Sequence, residues 1–278
     1  MNPTYDCLPT LNDTQVMEFC KNGFLMLDAV VSEDINLKTI EYVNEHPDGQ
    51  PVEILLEDWF LDGVIKNPDA AGAVRSLLGK DFRLPNLMAN HRVECPVEGQ
   101  DWHRDGGSNF GPQIQYLQVF YYPEECPREM GPTELLPGSH FLFSTPGHMG
   151  HYGNIKDSYY AVASAGSIFL TTYNIWHRRS TSTAKGIRNN LKYNYWRTST
   201  PERDWLVDPN FDLTSADWPL GGSGIRDQFV DCVDAARMYT WLRGKSEFFN
   251  LIGGQGWPIG PHRHLGEAYG IPEGLELE

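Results

Sequence analysis

Several features are missing from this 278-residue sequence, and each absence removes a class of function. No run of eighteen apolar residues occurs, so no membrane-spanning helix is expected. Residues 1–14 carry Asp6 and Asp13 but neither the basic nor the apolar region of an export signal. The five cysteines (Cys7, Cys20, Cys95, Cys126, Cys232) are odd in number, scattered, and never form a Cys-x-x-Cys pair. Neither a disulfide framework nor a zinc ribbon is expected, and a reducing, cytoplasmic location fits best. Basic residues are scarce: 22 Lys and Arg stand against 37 Asp and Glu, a formal charge of −15. That balance opposes binding to phosphate backbones or anionic lipid, so neither nucleic acid nor membrane is an expected partner. No Gly-x-Gly-x-x-Gly sits at a strand-to-helix junction and no βαβ alternation appears, which disfavours a dinucleotide-binding α/β fold.

What is present favours a β-rich domain. A hydrophobic fraction of 40% with 12% aromatics can build a sizeable core, while 27 Gly and 19 Pro imply many turns. Asn12 or Asp13 can cap a helix running to about Lys21; Gly23–Leu27 reads as a strand, and Ser32–Glu45 as a second helix. Pro68–Leu78 is helical in pattern. From Phe82 to Trp196 short apolar or alternating segments recur, the clearest being Ile114–Tyr122, Thr133–Leu136, Ser167–Thr172 and Ile187–Trp196. This spacing suits a sandwich or jelly roll, with one further helix over Asp227–Arg243. The expected organisation is one domain over residues 1–278, with a core at about 13–197 and a covering extension at 198–278.

On a strand, residues i and i+2 face one side, so His-x-Asp presents an imidazole and a carboxylate to one point, two thirds of a facial metal triad. With nine His and 37 acids, roughly one such pair arises by chance, and the sequence holds two. His46-Pro-Asp48-Gly reads as a turn. His103-Arg-Asp105 instead leaves a β-rich stretch and is followed by Gly106 and Gly107, which let backbone swing away or approach a ligand. A third ligand should come from a distant strand, and His177 ends the apolar run Ser167–Trp176. Taken alone, such a His is more often a satisfied core or surface residue. Arg188 lies in a strand whose alternation puts it with Asn190, Lys192 and Asn194 on one face. Its planar fork suits a dicarboxylic co-substrate, and an ordinary exposed strand edge is the bland alternative.

Together, His103-x-Asp105, Gly131-Pro-Thr-Glu-Leu-Leu-Pro-Gly-Ser-His140, Gly166-Ser167 before Trp176-His177, the interval from His177 to Arg188, and the opening Phe19-Cys-Lys-Asn-Gly-Phe24 resemble the phytanoyl-CoA dioxygenase (PhyH) family of Fe(II)/2-oxoglutarate oxygenases, from about Asp13 to Arg197. The resemblance implies a mainly β, double-stranded β-helix (jelly roll, cupin-like) with flanking α-helices. It implies Fe(II) held by His103, Asp105 and His177, and 2-oxoglutarate held at its distal carboxylate by Arg188, with Gln118 and Tyr121 approaching the same co-substrate. The family often has Gly-Ser or Gly-Ala after the second His, whereas here Arg178-Arg179-Ser180 follows His177. Ser180 is the expected replacement for that hydroxyl, and Arg179 an expected contact to substrate or co-substrate.

The implied reaction consumes O2 and 2-oxoglutarate, releases succinate and CO2, and hydroxylates a small molecule. Retention of Asp105 disfavours halogenation; desaturation, ring closure and epimerisation stay open. The chain offers no polybasic site for coenzyme A phosphates, which favours a smaller substrate. His91, His148 and His151 are candidate substrate contacts, Trp102, Tyr116 and Tyr122 read first as core aromatics, and His262 and His264 as surface. The competing readings are a non-catalytic cupin-type protein and a redox-neutral metal enzyme, neither of which would need 2-oxoglutarate.

Overall fold

The structure is a computed structural model that describes residues 3–105, 112–142, 149–212 and 225–245, with side chains of the last segment described from 233 onward. Gly106, Gly107, His148, His262 and His264 lie outside this set, as does the side chain of Cys232. In chain order the elements are β1 (Thr4–Tyr5), α1 (Asp13–Asn22), β2 (Phe24–Leu27), α2 (Glu33–Glu45), α3 (Asp58–Phe60, continuing as a π-turn to Ile65), α4 (Pro68–Leu78), β3 (Phe82–Arg83), β4 (Ala89–Asn90), β5 (Val93–Cys95), β6 (Tyr116–Tyr122), β7 (Thr133–Leu135), β8 (Tyr159–Tyr160), β9 (Ser167–Thr172), β10 (His177–Arg179), β11 (Gly186–Arg188), β12 (Leu191–Trp196) and α5 (Ile225–Leu242).

Local chemistry sets the helix ends. The Asn12 side chain accepts the Gln15 N–H at 2.9 Å while the Gln15 side chain accepts the Asn12 N–H at 3.0 Å, a capping box that opens α1. Gly23 closes the same helix at φ +80°, where any Cβ would fall 2.4 Å from Nδ1 of His140. Two of the sequence segments that carried the family resemblance therefore meet at one backbone contact. Asn67 caps α4 through the N–H groups of Asp69 and Ala70, with Pro68 in the first turn.

The larger sheet has strand order β1-β3-β12-β6-β9-β2, with β4 also pairing to β12. Opposite it stand a three-stranded sheet, β10-β7-β8, and the pair β11-β5; all pairings are antiparallel. The central strands are buried on both faces, and alternation divides their side chains between two environments. Leu117, Val119, Tyr121, Ile168, Leu170, Leu191, Tyr193 and Tyr195 pack outward into a core shared with α1, α4 and α5. Phe120, Tyr122 and Phe169 pack inward with Leu135 of the smaller sheet. Each such side chain contributes about 2 kcal/mol through burial, so both faces of the sheet are strongly specified. This is the expected mainly β, double-stranded architecture with flanking helices, and no described helix is long and apolar enough to cross a membrane.

One strand differs from expectation. The run Ile187–Trp196 is not continuous: Asn189 and Asn190 break it, leaving β11 in the small sheet and β12 in the large one. The Asn189 side chain bonds Glu124 and Asn90, and Asn190 bonds Thr133, so these amides tie the corner instead of extending a ladder. The predicted last helix is present as α5 and packs against α1.

Asp13 joins these two helices. Its carboxylate is fully buried and accepts bonds from Arg203 (2.6 Å), Trp205 Nε1 (2.6 Å), Tyr239 OH (2.8 Å) and the Asp208 N–H (2.7 Å). Burial alone would raise its pKa, but the Asp208, Trp205, Tyr239 and Arg203 donors outweigh it and hold the carboxyl below its ordinary value. A depressed folded-state pKa means that this stabilisation is complete above the unfolded value of about 3.9 and is lost as pH falls through the folded value. Asp13→Ala should lower the unfolding free energy by about 3–5 kcal/mol in urea titrations at pH 7, because it leaves buried donors unpaired. A loss under about 0.5 kcal/mol would mean the hub is dispensable.

Candidate metal centre

His103 and His177 face each other across a single antiparallel rung: the His103 N–H donates to the His177 carbonyl at 3.0 Å and the His177 N–H returns a bond at 2.8 Å. His103 therefore lies in an isolated bridge, not within a continuous strand, yet the rung gives the same i, i+2 geometry toward Asp105. Their rings lie 4.5 Å apart between centroids. Nδ1 of His103 meets the Asp101 carbonyl at 2.8 Å and Nδ1 of His177 meets the Ile175 carbonyl at 3.0 Å. A carbonyl only accepts, so each Nδ1 carries the proton and each Nε2 keeps its lone pair for a ligand. His177 Nε2 is 3.4 Å from Asp105 Oδ2, and one ligand atom from each of His103, Asp105 and His177 fits within 4.8 Å of the others. Two imidazoles and one carboxylate so arranged could hold a divalent metal while leaving open positions.

The electrostatics keep this donor set in its binding form. Burial opposes ionisation of Asp105, but His177 and Lys192 beside it hold its pKa far below the usual carboxylate range. Burial, then the neighbouring His177, lowers the His103 pKa, so its imidazole is neutral near pH 7. Gln118 Nε2 donates to Asp105 Oδ2 at 2.6 Å, and the Lys192 ammonium contacts the same oxygen. Lys192 reaches the centre from β12, paired across from Phe120 of β6.

A small cavity adjoins this cluster, lined by His91, Gln100, His103, Phe120, Thr133, His177, Arg178, Arg179 and Arg188. Arg188 is only 4% exposed, donates from Nη2 to Tyr122 OH and Thr133 Oγ1 at 3.3 Å each, and has a buried Nε without a partner. These hydroxyls and the Cys126 thiol, which also meets the Arg188 side chain, supply no countercharge. Burying a guanidinium without a countercharge is costly, so the site is built to receive an anion.

The other expected residues divide clearly. Gln118 points at Asp105, whereas Tyr121, three residues along β6, does not reach the site: its hydroxyl donates to Asn36 of α2 at 2.7 Å, on the opposite face of the strand. Tyr122 faces inward and touches Arg188, a role its sequence reading as a core aromatic did not supply. Ser180 also lies apart from the cavity, buried with its hydroxyl donating to the Pro132 carbonyl at 2.8 Å, because strand parity sets it opposite His177 and Arg179. Arg178 is neutralised by the buried Glu134 at 2.6 Å. His91 lines the cavity, its pKa lowered to about 4 by burial and by Lys192 and Arg188. His151 is exposed against Tyr152, and His46 is exposed at the end of α2.

Titration of the metal-free protein with Co(II) in a calorimeter should show one site. Gln118→Leu, which removes an outer partner, should weaken it by about 10–100-fold, and Asp105→Ala or His177→Ala by more than that. Unchanged affinity in Asp105→Ala would place the metal elsewhere.

The comparisons agree with this geometry. No curated protein matches the chain. Among solved structures, HygX from Streptomyces hygroscopicus with nickel and 2-oxoglutarate bound aligns with a TM-score of 0.54 at 15% identity, covering 71% of this chain and 90% of that one. The epimerase SnoN in complex with Fe3+, alpha ketoglutarate and nogalamycin RO gives 0.53 at 12% identity, covering 66% and 83%. CytC3 with Fe(II) and alpha-ketoglutarate gives 0.53 at 17% identity, covering 69% and 79%. At these identities the likeness is one of fold; in the sequence itself, residues 53–190 match the Phytanoyl-CoA dioxygenase (PhyH) family model.

Proposed function

We propose that this protein is a non-haem Fe(II)- and 2-oxoglutarate-dependent dioxygenase, working as a single catalytic domain, that hydroxylates a small molecule and releases succinate and CO2. The observation that carries the reading is the buried, carboxylate-free Arg188 in the same cavity as the His103–Asp105–His177 cluster. One ligand that chelates a metal at one end and offers a carboxylate at the other satisfies both. The bound ligands named for HygX, SnoN and CytC3 support the same choice.

The donor set fits iron: two neutral imidazoles and a carboxylate are the hard-to-borderline ligands of a facial Fe(II) triad. When bound there, iron couples decarboxylation of the 2-oxo acid and reduction of O2 to oxidation of a substrate C–H bond. The chain's own residues prepare that chemistry. The Asp101 and Ile175 carbonyls fix the imidazole orientation, and Gln118 holds the Asp105 carboxylate in place. Arg188, braced by Tyr122 and Thr133, orients the distal carboxylate, and Phe120 supplies an apolar wall that excludes water.

Anaerobic addition of Fe(II) and 2-oxoglutarate should produce the weak visible charge-transfer band of the chelate. His103→Ala should abolish it, and Arg188→Ala should raise the 2-oxoglutarate requirement by about 30-fold or more, the loss of a charge-assisted fork. Metal binding without a band would favour the redox-neutral or non-catalytic reading instead. With a substrate in hand, the product mass separates outcomes: hydroxylation adds one oxygen atom from O2, whereas an epimerisation of the SnoN kind leaves the mass unchanged.

A further inference from the structure

We infer that Arg179 and Arg188 grip one carboxylate between them, so that the distal carboxylate of the co-substrate is held by two guanidinium groups; this rests on the 2-oxoglutarate reading above. The placement follows from strand parity. In β10, His177 and Arg179 share one face, so the residue two places beyond a metal ligand points to the same cavity. Arg179 stands directly opposite Thr133 in the β10–β7 register. Thr133 is also the residue whose Oγ1 accepts a bond from Arg188 Nη2 at 3.3 Å. The two arginines thus come from different strands, one hydrogen-bonded to Thr133 and the other its cross-strand neighbour.

Neither has a countercharge among the described residues. Arg178, one place before Arg179, is satisfied by Glu134, but among the described residues the side chain of Arg179 donates only to the Glu98 carbonyl at 2.8 Å, and its Nε is buried without a partner. The Nε of Arg188 is likewise buried and unpartnered. No acidic side chain lines the cavity among the described residues. After burial, the charge of Arg188 is what most disfavours protonation of Arg179, so the two cations feel each other. A carboxylate has about four lone-pair directions and can accept from two forks at once, which turns this mutual repulsion into attraction. Ser180, the other candidate for a contact here, is turned away and occupied.

The test uses full-length protein loaded with Ni(II), so that binding is read without turnover, and two chelating 2-oxo acids. 2-Oxoglutarate has the distal carboxylate; 2-oxopentanoate replaces it with a methyl group. By calorimetry, Arg179→Gln should weaken 2-oxoglutarate about tenfold to a hundredfold while leaving 2-oxopentanoate within about twofold, with partial recovery in Arg179→Lys. Combined with Arg188→Gln, the loss should be smaller than the product of the single losses, because both groups act on one carboxylate. Wild-type affinity for 2-oxoglutarate in Arg179→Gln would overturn the pairing and leave Arg188 acting alone, with Arg179 free for an acidic substrate. Equal weakening of both acids would overturn it as a general distortion of the cavity. A wild-type protein that binds neither acid, or does not prefer 2-oxoglutarate, would instead defeat the parent reading, and the pairing with it.

Discussion

The site depends on the single antiparallel rung between His103 and His177. Two hydrogen bonds, of 3.0 and 2.8 Å, fasten a loop-borne residue to the start of a strand from the other end of the domain. With the backbones so locked, both imidazoles project to the same side, and the carbonyls of Asp101 and Ile175, two residues before each histidine, fix both tautomers in the same way. Asp105 then completes the cluster by i, i+2 spacing. The orientation of the two imidazoles is thus fixed by backbone groups, and burial preserves it: Trp102 beside His103 is fully enclosed, with its Nε1 donating to the Gly153 carbonyl at 2.8 Å.

Strand β6 links that rung to the rest of the fold. Its outward residues hold the helical layer, and its inward residues serve the site: Gln118 for the carboxylate, Phe120 for the cavity wall, Tyr122 for Arg188. Because side-chain period is two, a slip of one residue would send Gln118 into the helices and Val119 to the metal. The burial of Leu117, Val119 and Tyr121 against the helices therefore fixes the chemistry on the opposite face. Stability and function use alternate residues of one strand.

The same parity explains which parts of the site were legible in sequence. Triad residues and Arg188 could be picked out because they combine rare residue types with separations that a jelly roll brings together. Tyr121 and Ser180 were misplaced by one position each: both neighbours, Tyr122 and Arg179, are the residues that face the cavity. A run such as Tyr116–Tyr122 is apolar or aromatic on both faces, so composition gives no clue to which face is which. Gln118, buried but polar, supplied the one usable signal, since a lone amide in such a run implies a polar partner, and counting by two from it reaches Tyr122. The break at Asn189–Asn190 was hidden for a similar reason, because two asparagines extend an alternating pattern as readily as they end it. The Gly131–His140 segment, which carried part of the resemblance, serves two ends: its Thr133 lines the cavity and accepts from Arg188, while its His140 is fully buried, with Nε2 bonded to the Cys20 carbonyl and its ring against Gly23, and seats α1 on the β-core.

Net charge proved a poor guide to the cavity. A chain carrying −15 overall concentrates Arg179, Arg188 and Lys192 around one small space, with Asp105 the acid that meets one of them. Fields from surface carboxylates are screened over about 8–10 Å of saline, while half-buried Arg179 and buried Arg188 act on the cavity they line over short distances. Local charge therefore decides what enters. A metal ion adds two positive charges to the centre, and three basic side chains less one carboxylate add two more; a dicarboxylate cancels half of that sum. An acidic exterior is compatible with such a ligand because attraction inside the cavity acts over contact distances, where the exterior contributes least.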